Sequence, residues 1–161
     1  MLQHVEASDF ELFILETNGI LFGVDRDYVK AISKHAKTHV RLSVKAGTPE
    51  DFTRKTGAKP EAFEIPFRAI RNLHDFKVSF HVAAMSADPR IMSQEERLAL
   101  LEKLANVRLG LVSTLEEEVV DPYETTLARL KYAGLKLDWP LRKTYEPARS
   151  LEIGKKTFRR E

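Results

Sequence analysis

Four short segments of this chain end in side chains able to do chemistry. Glu16, Thr17 and Asn18 close the first, Ser43 and Lys45 the second, His81 and Met85 the third, and Thr114 with Glu116, Glu117 and Glu118 the fourth. In parallel α/β folds ligands sit at the carboxyl ends of the strands, so an acid, an amide, a hydroxyl, an ammonium and an imidazole converge on one rim. Lys45 suits a carboxylate, Glu16 or Glu116 can accept hydrogen bonds from an amine or from ribose hydroxyls, and Gly19 and Gly47 would let the backbone approach closely. The ligand implied is small, and zwitterionic or sugar-bearing.

Other chemistries fit less well. His35 and His39 are four apart, as in some zinc sites, but one ends a predicted helix and the other opens a strand, and a third ligand is not evident, so no metal is assigned. Neighbouring strand residues point to opposite faces, so at most two of Glu116, Glu117 and Glu118 reach the rim together. Ser43 and Ser79 lack His or Asp partners at a turn of the hydrolase-elbow kind, and no Gly-rich loop is built to cradle phosphate. Serine-hydrolase and P-loop chemistries are set aside.

The elements that must position these residues follow from periodicity and punctuation. Glu11 to Leu15 is a short apolar run stopped by Thr17-Asn18-Gly19, which reads as a buried strand. Asp25 or Asp27 caps a helix through Tyr28, Val29, Ile32 and Ala36. His39 to Lys45 alternates Val40, Leu42 and Val44 against Arg41, Ser43 and Lys45, and Gly47-Thr48-Pro49 turns, caps and starts a helix closed by Gly57. Pro60 opens a second helical piece to Leu73, which Pro66 should kink. Lys77 to Met85 is a third strand, with Ser79, His81 and Ala83 sharing a face. Ser93 and Glu96 form a capping box ahead of Leu98, Leu101 and Leu104. Leu109 to Leu115 reads as a fourth, buried strand, and Asp121-Pro122 starts a helix through Leu127 and Leu130 that Gly134 closes. Strands separated by helices throughout predict an α/β fold with a parallel sheet of about four strands, either open or completed by something else.

The 161 residues allow one compact domain, and 43% apolar against 31% charged residues allow a core. No run approaches the ~18 apolar residues of a membrane span, and His4, Glu6 and Asp9 stand where a signal peptide needs an apolar segment, so a cytoplasmic protein is expected. Cysteine is absent, which removes disulfides, thiolate nucleophiles and any self-contained iron–sulfur site. A net charge of +2 gives no argument for nucleic acid or membrane. Residues 142 to 161 hold seven Lys/Arg against three Glu, and this basic end reads as a solvated extension. The division expected is 1–138 for the α/β unit and 139–161 for the extension.

Leu15-Glu16-Thr17-Asn18-Gly19 resembles the ETNG/DTNG strand end of the radical SAM superfamily, in its activating-enzyme-like and archaeal iron–sulfur oxidoreductase branch. Val40 to Lys45, then Gly47-Thr48-Pro49-Glu50-Asp51-Phe52 and Thr56-Gly57-Ala58, is similar to a run in the same proteins, and the likeness extends to about Gly134. It implies a partial TIM-like (βα) barrel, from the third strand to the sixth. It also implies that Thr17, Asn18, Ser43 and Lys45 lie near S-adenosylmethionine, with His81 on the substrate side; their strand-end positions add Glu16 to the first group and Glu116 to the second. The family's CxxxCxxC loop, which holds a four-iron cluster, has no counterpart here.

The function expected is thus that of a radical SAM-like barrel portion that binds S-adenosylmethionine or another adenosyl compound. Catalysis would need a cysteine-bearing partner. The first barrel strands would come from a separate chain or a second copy, because an uncovered strand edge invites pairing. The alternatives are a non-catalytic scaffold or interaction protein derived from such an enzyme, and an unrelated small α/β enzyme using Glu16, Lys45 and His81.

Overall fold

The computed structural model describes residues 1–89, 91–118 and 124–135. In chain order the elements are α1 (Leu2–Glu6), β1 (Phe13–Thr17), α2 (Ile20–Val24), α3 (Arg26–Ile32), β2 (Thr38–Val44) and α4 (Pro49–Thr56). A 3-10 turn (Pro60–Phe63) leads into α5 (Glu64–Asp75), followed by β3 (Ser79–Ala84), α6 (Gln94–Val107), α7 (Gly110–Ser113), β4 (Glu116–Glu117) and α8 (Glu124–Tyr132). The four strands form one all-parallel sheet in the order β1-β2-β3-β4.

The alternation in β2 decides how the sheet is used. Thr38, Val40, Leu42 and Val44 are all buried, while His39, Arg41 and Ser43 between them are not. The register sets Leu15, Val40 and Phe80 in one row and Leu42 beside Val82 in the next, so one face is apolar across β1, β2 and β3. That face meets Phe67, Ile70 and Leu73 of α5 and Leu100 and Leu104 of α6 in a single core. The other face carries Glu16, His39, Arg41, Ser43, Ser79, His81 and Glu116.

Thr48 and Ser93 act as predicted: each side chain accepts the N–H three residues on, from Asp51 and from Glu96, and starts α4 and α6. Gly57 takes the left-handed conformation (φ 71°) that ends α4. Asp25 caps α3 through the Tyr28 N–H.

Several expectations are corrected. The first strand is Phe13–Thr17, shifted two residues along, and is an edge strand with Ile14 55% exposed, because only one face meets the core. A helix not foreseen, α2, packs on α5 closely enough that a Cβ on Gly23 would stand 2.2 Å from the Ile65 carbonyl oxygen. Pro66 is the third residue of α5, where its missing N–H costs no helical hydrogen bond, so it lies in a first turn and not at a mid-helix kink. Leu109 to Leu115 is not a strand: α7 occupies its centre, with Leu111 turned into the core, and the fourth strand is only Glu116–Glu117. The capping box is half formed, since the Glu96 carboxylate accepts from the Gly47 N–H (3.0 Å) and Lys55 Nζ (2.7 Å) instead of turning back on its own helix. Gly134 adopts φ 69° and closes α8, while Asp121, Pro122 and the extension 139–161 lie outside the described residues.

Candidate functional site

The polar face is organised around Arg41, in the middle of β2. Parallel register places Glu16 of β1 directly across from it on one side and His81 of β3 on the other. Its guanidinium grips Glu116 of β4 with both prongs, Nε to Oε2 and Nη2 to Oε1, each at 2.9 Å. It also donates to Glu118 at 2.5 Å and to Glu16. Planar, forked donors suit this bidentate geometry. The Arg41 side chain is only 15% exposed, and its guanidinium is held in its charged form by Glu116 and Glu118. In turn Arg41, helped by His81, holds the Glu116 carboxyl down at about 2, against burial pushing the other way.

A second line of contacts runs from Glu116 toward the amino-terminal end of the sheet. His81 Nε2 lies 2.7 Å from Glu116 Oε2, His81 Nδ1 lies 2.7 Å from His39 Nε2, and His39 Nδ1 lies 2.7 Å from Ser79 Oγ. The two imidazoles stack at 5.0 Å. Each link holds one proton. Glu116 is ionised near neutrality and can only accept, so His81 carries its proton on Nε2 and offers Nδ1 as an acceptor when neutral. His39 then donates from Nε2 and accepts at Nδ1, and the Ser79 hydroxyl is the donor at the chain's end. Burial, and secondarily the nearby His81 charge, lowers the His39 pKa below its ordinary 6.5, which favours this neutral arrangement.

Of the residues singled out in the sequence, Glu16, His81 and Glu116 come together here. Ser43 shares their face, opposite Ala83. Lys45 directly follows the last residue of β2, and its Nζ makes no hydrogen bond or ion pair among the described residues. Thr17 alternates onto the helical side of β1, where its hydroxyl accepts from the Gly19 N–H, and the Asn18 side chain accepts from the Ile20 N–H. Both are engaged in the turn into α2. The close approach expected at Gly47 exists, but to the protein: a Cβ there would stand 2.0 Å from the Glu96 carbonyl oxygen.

The expected alternation at Glu116, Glu117 and Glu118 is seen. Glu117 points to the helical side, where Arg97 grips it at 2.7 and 2.8 Å and Ser86 Oγ donates at 2.9 Å. His35 and His39 part company, His35 lying 3.9 Å from Glu6 while His39 joins His81. Among the described residues no three His, Asp or Glu side chains are grouped as a metal ion would need. The view that Ser79 lacks a histidine partner is corrected by the 2.7 Å contact with His39, two strands that sequence distance had hidden from each other.

Sequence reasoning missed Arg41 as an organiser and His39 as a partner of His81. The available signal was a cation in mid-strand on the same alternating face as His39, with three glutamates at other strand ends. A separate cavity of about 790 Å3 opens on the helical side, bordered by Arg26, Arg71, His74, Phe80 and Arg108. Phe80 reaches it from the opposite face of β3 to Ser79 and His81, so the sheet separates it from this network, and Arg26 there is already tied to Asn72 and Asp75. No family model, curated protein or solved structure matches the chain.

Proposed function

We propose that this chain is the later portion of a radical SAM-type barrel and that its polar sheet face binds S-adenosylmethionine or another adenosyl compound. The observation that carries the reading is the charge distribution on the polar face of the sheet. Glu16, Glu116 and Glu118 outnumber Arg41 on that face, and Lys45 Nζ, just past the end of β2, makes no hydrogen bond or ion pair among the described residues. A net-negative surface beside an ammonium that no described residue engages suits a ligand bearing a sulfonium, an amine and a carboxylate. Lys45 would take the carboxylate, Ser43 a ribose hydroxyl, and Glu16 the cationic end.

The iron–sulfur cluster of that chemistry does not fit this chain, which offers no cysteine to hold it. Radical generation would therefore rest on a cysteine-bearing partner that supplies the first strands. The outer edge of β1, which pairs with no other strand among the described residues, supports such a partner. Ile20, Leu21 and Val24, exposed on the helix that follows β1, favour a second reading, a non-catalytic interaction protein that keeps only the docking surface.

Calorimetric titration of the whole chain with S-adenosylmethionine, beside Lys45→Ala, separates the two. Saturable binding that weakens at least tenfold in the variant is expected. No heat at millimolar ligand would overturn the binding proposal and leave the interaction reading.

A further inference from the structure

We infer that Ser79 is an activated nucleophile and that the amino-terminal end of the polar sheet face can react with small activated esters. This site lies apart from Lys45 and does not depend on the adenosyl-binding reading. It stands on the contact chain Ser79–His39–His81–Glu116, each link 2.7 Å long. A hydroxyl whose proton points at a neutral imidazole, itself held in one tautomer by a further acceptor and finally a carboxylate, has the parts of nucleophilic catalysis. The extra imidazole lengthens the relay without changing its polarity.

The elements fix this arrangement by register. His39 and Ser79 are directly opposed across β2 and β3, and Arg41 and His81 occupy the next pair on that face. Arg41 immobilises Glu116, so the far end of the chain is anchored by a group that cannot lose its charge near neutrality. Ser79 itself is exposed and open to a reagent. Ile14 stands across from His39 on β1 and is exposed, as are Leu12 and Phe10 just ahead of it. An apolar acyl group could rest there, which points to carboxylic esters of apolar acids in preference to charged substrates.

In the step assigned, the Ser79 Oγ–acyl carbon bond forms as the bond to the leaving oxygen breaks. The Ser79 proton passes to His39 Nδ1 and from there to the leaving oxygen. Water then attacks the acyl-serine, giving its proton to His39, and Ser79 Oγ recovers a proton as the acid departs. His39 is the general base, while His81 and Glu116 are positioning residues. Protonation of the two-histidine chain would reverse it: His81 Nδ1–H would then face His39 Nε2, His39 Nδ1 would donate, and Ser79 would lose its acceptor. The charged groups facing this pair are Glu116 of β4 and Glu118 just beyond it, Glu16 from β1, and Arg41 from β2 itself.

The test is labelling of the full chain with an alkyl fluorophosphonate, which forms a phosphorus–Oγ bond and expels fluoride, followed by intact-mass and peptide analysis. A single adduct on Ser79 is expected, absent in Ser79→Ala and slowed about 100-fold in His39→Gln, the lower range for a positioned base. The labelling rate should fall on acidification with a midpoint below pH 6.5, and Glu116→Gln should displace that midpoint. Circular dichroism of each variant keeps a folding defect from being read as loss of reactivity. No adduct on Ser79 of the folded wild-type chain, or equal labelling rates in wild type and His39→Gln, would overturn the assignment.

Discussion

Replacing Arg41 by methionine removes the one cation that three carboxylates share while keeping most of the buried stem. The largest consequence falls on Glu116, whose carboxyl is held at about 2 against an ordinary value of 4.5. Unscreened, that gap would correspond to about 3 kcal/mol. Glu116 is 44% exposed, so water cuts the figure to about 1 kcal/mol, and Glu118 and Glu16 together add about 0.5 kcal/mol. A loss of about 1.5 kcal/mol is therefore expected at pH 7. A depressed carboxyl pKa stabilises the fold fully above its unfolded value and loses that contribution as pH falls toward the folded one. The penalty of Arg41→Met should consequently hold between pH 7 and 5 and shrink to less than half at pH 3. Urea unfolding followed by circular dichroism at pH 7, 5 and 3 measures it. A penalty that stays constant, or grows on acidification, would refute the account of Arg41 as the clamp on Glu116.

Two further outcomes test the helical side. Gly47→Ala should destabilise by about 3 kcal/mol, because its Cβ meets the Glu96 carbonyl at 2.0 Å, whereas Gly57→Ala, with open space but φ 71°, should cost only about 1 kcal/mol; urea midpoints of the pair compare steric with backbone strain. Glu117→Gln should cost about 3 kcal/mol, since Arg97 and Glu117 are 8% and 6% exposed and the guanidinium would be left buried without its counter-charge. Thermal unfolding at pH 7 reads that loss.

The parts of the fold legible in the sequence were those with redundant local signals. β2 and α4 carry strict alternation, a Thr cap, a proline in the first turn and a closing glycine, all agreeing. Leu109 to Leu115 had only apolar character, and a run that short fits a turn of helix as well as a strand. α2 was hidden because Gly19 and Gly23 look like loop residues, yet the second is there to let α5 approach. At the site, residue type and strand-end position were enough to pick out Glu16, His81 and Glu116. They could not show that Arg41 joins them, nor that His39 meets both Ser79 and His81. Those meetings depend on register between strands far apart in the chain, and a shift of one residue would have sent the same side chains to the opposite face.

The consecutive strand order also has a kinetic consequence. Phe13 opposes Thr38, His39 opposes Ser79 and Ala83 opposes Glu116, so the three closures span similar lengths of chain and their entropies differ by under about 0.6 kcal/mol. Chain entropy thus gives no pairing a head start, and the order of assembly follows the apolar surface each crossover hides. β2, α5 and β3 bring in Val40, Leu42, Val82, Phe67 and Ile70, whereas β4 contributes two glutamates. The central pair is therefore expected to form the nucleus, with the edges joining later. On the way back out, β4, with two paired residues, is expected to let go first, so the two-strand span of His39 and Ser79 should outlast the carboxylate that completes it.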